Sequence, residues 1–141
     1  MKSFRWNDSY SVYLPEMDAE HQALFRMIAN LQKEILNGAP GGRILTILHE
    51  TIAHITGHFA HEERRMAATR CPYYRWHKKQ HETATRATLE FERRIRRGDD
   101  QAPLELLDFF SNWLRGHITL ADRMMAAHLR ACSRHNAALA S

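Results

Sequence analysis

Two histidines and two glutamates occur within six residues in the segment HFAHEERRM, which spans residues 58 to 66. His58 and Glu62 are four positions apart, and this spacing places two side chains one turn apart on the same face of a helix. His77 and His81 have the same spacing. Imidazole nitrogens and carboxylate oxygens are ligands of divalent transition metals. The pattern therefore predicts metal ligands that project from successive turns of two helices.

Four segments of helical length carry these residues. Apolar residues recur in each segment with a period near 3.6, and turn-forming residues separate the segments. We expect the first helix to follow Pro15 with Asp18 as its N-cap. The breakers that follow are NGAPGG at 37–42, RCP at 70–72 and GDDQAP at 98–103. Because short connections join antiparallel neighbours, the prediction is an all-α fold, an antiparallel up-down-up-down four-helix bundle. The expected single domain, 1–141, comprises an irregular N-terminal arm at 1–17, the bundle at 18–128 and a tail at 129–141.

Each predicted helix places at least one histidine on the apolar face that must point into the bundle. These inward residues are His21, His58 with Glu62, His77 with His81, and His117. The inward face of the fourth helix would continue through Ala121 to Met124. Asp122 follows His117 by five residues, so on a regular helix it points about 140° away. Either a π-bulge brings Asp122 inward or its side chain reaches the others from the flank.

A polar core without metal is the alternative, in which these side chains satisfy one another by hydrogen bonds. Burying the Glu62 carboxylate without a partner is costly, and a core with this many imidazoles would need a dense network. A divalent metal removes both penalties, so metal binding is favoured. Five histidines and two carboxylates exceed the coordination sphere of one ion. Two ions are therefore expected, with one coordination position left for an external ligand.

Composition excludes several other classes of protein. The chain has 141 residues and a net charge of +4, and its arginine run at 93–97 is flanked by acidic residues, so no nucleic acid partner is expected. Cys71 and Cys132 form neither a CxxC pair nor a metal-ligand spacing, and we interpret both as structural or incidental. The N-terminus lacks an apolar signal region, and no run of about 18 apolar residues occurs. We therefore expect a cytoplasmic protein without a membrane segment.

The segments that carry the ligands resemble those of the hemerythrins, specifically the single-domain bacterial hemerythrins. The matching segments are DAEHQALF, HFAHEERRM, HKKQH and WLRGHITLAD, and the likeness extends from Trp6 to about His128. The resemblance implies a non-heme diiron centre with an oxo or hydroxo bridge that binds O₂ reversibly, for oxygen storage, transport or delivery. One iron would take His77, His81 and His117, and the other His21 and His58. Glu62 and Asp122 would bridge the two irons.

The O₂ pocket expected beside the irons is apolar, and the same side chains also suit plain core packing. Its candidate lining is Leu24, Phe59, Trp113, Leu114 and Ile118. His54 stands where the family usually has tyrosine; it could position a ligand through a hydrogen bond, be a spare ligand or be an ordinary core histidine, and the first and last are favoured over ligation. Cys71 also replaces a common tyrosine, and Tyr13 a common glycine. The other histidines are expected at the surface, namely His49, His61, His128 and His135.

O₂ is the expected partner, together with an oxygen-consuming recipient that the sequence does not identify, and the chain is expected to be a monomer. We expect an oxygen-binding protein rather than an enzyme, with at most weak peroxidase or oxidase side activity. The alternatives on the same bundle are a diiron oxidase or peroxidase, a protein that handles nitric oxide or senses O₂, and a metal reservoir. Fewer anionic ligands than in carboxylate-rich diiron oxidases favour reversible binding.

Overall fold

The computed structural model describes residues 4–140, and helices make up almost all of that span. The helices are α1 (Pro15–Leu36), α2 (Gly41–Ala68), α3 (Tyr74–Arg96), α4 (Ala102–His117) and α5 (Arg123–Ala140), with a π-helical segment (Ile118–Asp122) between α4 and α5. A single 3₁₀ turn (Asp8–Tyr10) precedes α1. No strand occurs within residues 4–140. The predicted all-α, antiparallel four-helix bundle is confirmed.

Residues with a left-handed backbone conformation follow each of the first three helices, where the chain reverses direction. Gly38 and Gly98 follow α1 and α3 with φ of +75° and +81°, where glycine carries no steric penalty. Arg70 takes the corresponding position after α2 with φ of +50°. There the Arg70 and Cys71 amides donate to Ala67 and Met66, the paired bonds of a Schellman motif. These tight ends allow the short connections that make neighbouring helices antiparallel.

The start of α1 differs from the prediction that Asp18 is its N-cap. The helix begins at Pro15, whose missing N–H is tolerated in the first turn. Asp18 lies inside that turn and reaches back to the arm, where it accepts hydrogen bonds from the Val12 amide at 2.9 Å and the Ser11 hydroxyl at 2.6 Å. The expected N-cap carboxylate therefore fastens the arm to the helix instead.

Aromatic packing and arginine side chains hold the N-terminal arm against the bundle. Phe4 stacks on Phe25 of α1 with ring centroids 4.3 Å apart, and Tyr10 lies 5.1 Å from the same ring. Arg130 of α5 donates to the carbonyl oxygen of Val12. Tyr13 has φ of +60°, the left-handed region that favours glycine, and this explains why a glycine would suit position 13.

The fourth helical element of the bundle runs without interruption from α4 through the π-helical segment into α5. Each π turn accommodates one extra residue, so His117 and Asp122 both face inward although they are five positions apart. The π-bulge is therefore the correct one of the two alternatives for Asp122. The extra residue also shifts the face that follows, and Met125 is fully buried where Met124 was expected. Helix α5 continues to Ala140, although its residues from 133 onward are exposed and leave the bundle.

The buried polar residues are concentrated toward one end of the bundle interior. Leu31, Ile44, Leu48, Ile95 and Leu106 fill the end where α1 meets α2 and α3 meets α4. The buried histidines and acids lie toward the other end, where α2 meets α3. No helix within residues 4–140 has the length and apolar character needed to cross a membrane.

Candidate metal centre

All seven residues predicted as ligands lie together in the bundle interior, and each is at most 4% exposed. Helix α1 contributes His21, α2 contributes His58 and Glu62, α3 contributes His77 and His81, α4 contributes His117, and the π-helical segment contributes Asp122. Their ligand atoms form two groups, and Glu62 and Asp122 belong to both. Within residues 4–140 these are the only groups of three or more histidine, cysteine or acidic side chains close enough to hold a metal ion.

Three histidines define the first group. The Nε2 atom of His117 lies 3.1 Å from His77 Nε2 and 3.2 Å from His81 Nε2. One oxygen of each carboxylate faces this trio. Glu62 Oε1 lies 3.2 Å from His77 Nε2 and 3.1 Å from His81 Nε2, while Asp122 Oδ1 lies 3.0 Å from His77 Nε2 and 3.1 Å from His117 Nε2. Five ligand atoms thus surround one point.

The second group has two histidines and the other oxygen of each carboxylate. Glu62 Oε2 lies 3.2 Å from His58 Nε2 and 3.6 Å from His21 Nε2. Asp122 Oδ2 lies 3.0 Å from His21 Nε2. Each carboxylate therefore presents one oxygen to each group, which is the arrangement of a bridging ligand between two ions.

The residues fit a pair of metal ions better than a metal-free polar core. Neither nitrogen of His21, neither oxygen of Asp122 nor Glu62 Oε2 has a hydrogen-bond partner, although all are buried. Buried polar atoms without partners are rare in folded proteins. Metal–nitrogen bonds of about 2.1 Å place adjacent octahedral ligands about 3.0 Å apart, close to the separations found here. Metal coordination would satisfy atoms that hydrogen bonding leaves unpaired.

The pKa values of the site show that the two buried carboxylates strongly favour positive charge on their neighbours. Burial lowers the pKa of His21, but the nearby carboxylates of Asp122 and Glu62 outweigh burial and raise that pKa to about 9. The pKa of His77 rises to about 9 for the same reasons, and burial of His58 is likewise outweighed by the Glu62 charge and Glu20, which raise its pKa to about 10. Burial opposes ionisation of Glu62, yet the neighbouring histidines hold its pKa well below the usual range. Without metal the site holds protons, and a metal ion would displace them.

Hydrogen bonds at Nδ1 fix the orientation of three of the histidine rings. His58 Nδ1 lies 2.6 Å from Glu20 Oε1, His81 Nδ1 lies 2.8 Å from Glu63 Oε2, and His117 Nδ1 lies 2.9 Å from Gln80 Oε1. With Nδ1–H donating outward, Nε2 keeps its lone pair for the interior. Sequence reasoning missed these three acceptors. A signal was present, since each acceptor is the chain neighbour of another predicted ligand.

The remaining histidines occupy several different environments. His49 and His135 are exposed, as expected. His61 and His128 are partly exposed, and each has a partner: His61 Nδ1 lies 2.6 Å from Glu20 Oε2, and His128 donates to the Thr69 carbonyl oxygen at 3.1 Å. His54 is half-buried with Nε2 unpartnered, and it belongs to neither ligand group.

An apolar cavity of about 20 Å³ lies beside the histidines and has room for about one small molecule. Leu24, Phe59, Trp113 and Leu114 line it as expected, whereas Ile118 is buried in the π-helical segment and is not part of the lining. Further lining residues, which the sequence analysis did not identify, include Ile28, Ile55, Ala84, Thr88 and Phe110. Phe59 stacks on His81 with centroids 3.8 Å apart, and Trp113 stacks on His117 at 4.4 Å. These two rings connect the cavity to the ligand cluster.

Comparison with protein families identifies the class to which this fold and site belong. The family model described as the hemerythrin HHE cation binding domain matches residues 13–129, a span that includes all seven clustered residues. The chain belongs to the hemerythrin family.

Individual relatives agree with this assignment. The chain is 31% identical over 117 residues to a bacteriohemerythrin from Pseudomonas paraeruginosa, covering 83% of this chain and 75% of that protein. It is 34% identical over 119 residues to a myohemerythrin from Riftia pachyptila, covering 83% and 86% of the two chains. A crystal structure of a leucine-to-phenylalanine mutant superposes with a TM-score of 0.83 at 20% identity, over 92% of this chain and 98% of that chain. This last likeness supports the bundle fold.

Proposed function

We propose that this protein binds O₂ reversibly at a pair of non-heme iron ions, for oxygen storage, transport or delivery. Membership of the hemerythrin family implies O₂ binding at a metal centre. The observation that carries the finer proposal is the sharing of Glu62 and Asp122, since each presents one oxygen to each of two buried ligand groups. His77, His81 and His117 would hold one iron, and His21 and His58 the other.

The unequal numbers of histidines give the two ions different roles. With Glu62 and Asp122 shared, the three-histidine group would supply five ligand atoms and the two-histidine group four, so the second ion would have more positions for an external ligand. The side of His21 and His58 therefore offers the open position. A ferrous pair held by these residues would supply two electrons to O₂.

The residues around the ligands suit reversible binding. Phe59 and Trp113 cover His81 and His117 with apolar rings and limit the access of water and stray protons. Glu20, Glu63 and Gln80 hold the histidine rings through Nδ1, so the Nε2 atoms converge without rearrangement. Five neutral imidazoles and two carboxylates also stabilise highly oxidised iron less than a carboxylate-rich site would.

Cycling between anaerobic and aerated solution tests the proposal. Iron-loaded protein is reduced without oxygen, exposed to air and then deoxygenated repeatedly, while the visible absorption spectrum is followed. We expect a coloured adduct that forms and disappears in each cycle, and no such change in zinc-loaded protein, because zinc does not change oxidation state. One-way oxidation, or rapid turnover with added reductant and peroxide, would instead identify an oxidase or peroxidase.

A further inference from the structure

Cys71, His128 and Cys132 lie just beyond the metal centre, where the α2–α3 connection contacts α5. The Nε2 atom of His128 lies 3.1 Å from the carbonyl oxygen of Thr69 and 3.5 Å from the sulfur of Cys132. Cys71 follows Thr69 by two residues, and the bond from its amide to Met66 fixes its backbone. The contacts of His128 with Thr69 and Cys132 therefore hold the two cysteine-bearing segments together, and the thiols are near enough for the charge of one to affect the other.

Metal binding does not account for this cluster. Within the described part of the chain, the groups compact enough to hold an ion are the two that share Glu62 and Asp122, and neither includes a cysteine. Both cysteines are free thiols. The cluster is therefore distinguished by its two thiols, whose characteristic chemistry is oxidation.

The two thiols differ in the ways that a two-step oxidation requires. Cys132 is partly exposed, so its sulfur can be reached from solvent, and that sulfur lies 3.5 Å from Nε2 of His128. Cys71 is only 5% exposed. Burial raises the pKa of the Cys71 thiol, and the nearby charge of Cys132 adds to that rise. Cys132 is thus suited to attack an oxidant, and Cys71, still a thiol, is suited to react second.

We propose that Cys132 and Cys71 form a peroxide-reactive pair that closes into a disulfide between the α2–α3 connection and α5. The Cys132 thiolate attacks hydrogen peroxide, the O–O bond breaks, and a sulfenic acid and hydroxide form. The Cys71 sulfur then displaces hydroxide from that sulfenic acid, its proton goes to the hydroxide, and the S–S bond forms. Overall two thiols and one hydrogen peroxide give one disulfide and two waters.

A source of peroxide lies in the chemistry of the neighbouring site. An iron pair held there would give hydrogen peroxide whenever bound O₂ left with two electrons from the metal and two protons, and only this statement about the source depends on the proposed function. The disulfide would join the connection between the α2 ligand Glu62 and the α3 ligand His77 to the helix that follows Asp122. Oxidation would therefore tie together the end of the bundle that carries the ligands.

Hydrogen peroxide titration of the metal-free, full-length protein tests the proposal independently of any oxygen binding. We expect two thiols to disappear together, a non-reducing peptide map to show the Cys71–Cys132 peptide within a single chain, and dithiothreitol to restore both thiols. In Cys71→Ser the reaction should stop at a sulfenic acid on Cys132 that dimedone traps. In Cys132→Ser the remaining thiol should survive the same peroxide exposure.

Matched variants on α5 test the role of the histidine. His128→Leu should slow oxidation about fivefold, the effect expected from the loss of one hydrogen bond. His135→Leu, an exposed change on the same helix, should leave the rate unchanged. Peroxide consumption that yields only sulfinic acid, only disulfides between chains, or equal reactivity of both single-cysteine variants would overturn the proposal.

Discussion

Replacing Glu62 with glutamine keeps the shape of a buried side chain and removes the charge that both ligand groups share. In metal-free protein, burial disfavours the protonated form of His58, and the charge of Glu62 opposes burial more strongly than Glu20 does. A histidine pKa that rises from 6.5 to about 10 on folding stabilises the folded protein by about 4 kcal/mol at pH 7, because each pH unit between pH 7 and the folded pKa contributes about 1.4 kcal/mol. Removing one partner of a buried charge pair costs about 3–5 kcal/mol.

We therefore expect Glu62→Gln to lower the free energy of unfolding of metal-free protein by about 3 kcal/mol at pH 7, because Glu20 and Asp122 still offset part of the histidine charge. Urea unfolding followed by circular dichroism measures this change. The same variant should fail to retain a pair of irons, since the amide offers an oxygen to only one of the two groups and an NH₂ group to the other. Iron analysis after gel filtration measures the stoichiometry.

Glu50→Gln is the matched control, since it removes one carboxylate from the exposed side of the same helix. It should change the free energy of unfolding by less than about 0.5 kcal/mol and leave iron content unchanged. If Glu62→Gln bound iron as well as Glu50→Gln does, the shared-carboxylate arrangement would be refuted.

Three further predictions concern the pH dependence, the hydrogen bonds behind the ligands and the cavity. The folded-state pKa values of His21, His58 and His77 lie at about 9 to 10, above the unfolded value of 6.5. The contribution of these histidines to the stability of metal-free protein should therefore be complete below pH 6.5 and be lost as pH rises to about 10, whereas zinc-loaded protein should show a flatter urea-unfolding profile over that range. Glu20→Ala should weaken metal affinity about 10- to 100-fold by freeing the His58 ring, and Glu16→Ala, an exposed change one turn earlier, should not; competition with a chelator measures both. Ala84→Leu should fill the apolar cavity and abolish xenon binding in pressurised crystals while iron content stays constant, with a destabilisation of about 1–3 kcal/mol; xenon density at the same position would contradict the assignment of the cavity.

Periodicity and spacing predicted the helices and predicted which polar side chains would lie together in the bundle interior. The i, i+4 pairs on α2 and α3 need only regular helical geometry, so His58, Glu62, His77 and His81 follow directly from the sequence. Asp122 was harder, because the choice between a π turn and a flanking approach depends on the packing of α4 and α5. The offset of five residues indicated that one of these two alternatives must apply, and the π-helical segment shows that it is the π turn.

Features that depend on side-chain partners from other helices were beyond the reach of sequence patterns. Asp18 has the chemistry of an N-cap, but Pro15 starts the helix earlier and leaves that carboxylate free to bond the arm. Met125 replaces Met124 in the core because the extra π residue changes the phase of all later positions. Glu20, Glu63 and Gln80 were missed since helical periodicity does not specify which polar neighbour meets which ring.

Anomalous diffraction from crystals of iron-loaded protein, recorded on both sides of the iron absorption edge, tests the paired metal site most directly. The arrangement predicts two iron peaks per chain, one among His77, His81 and His117 and one beside His21 and His58, with Glu62 and Asp122 contacting both. A single peak, or none between those side chains in fully loaded crystals, would contradict it.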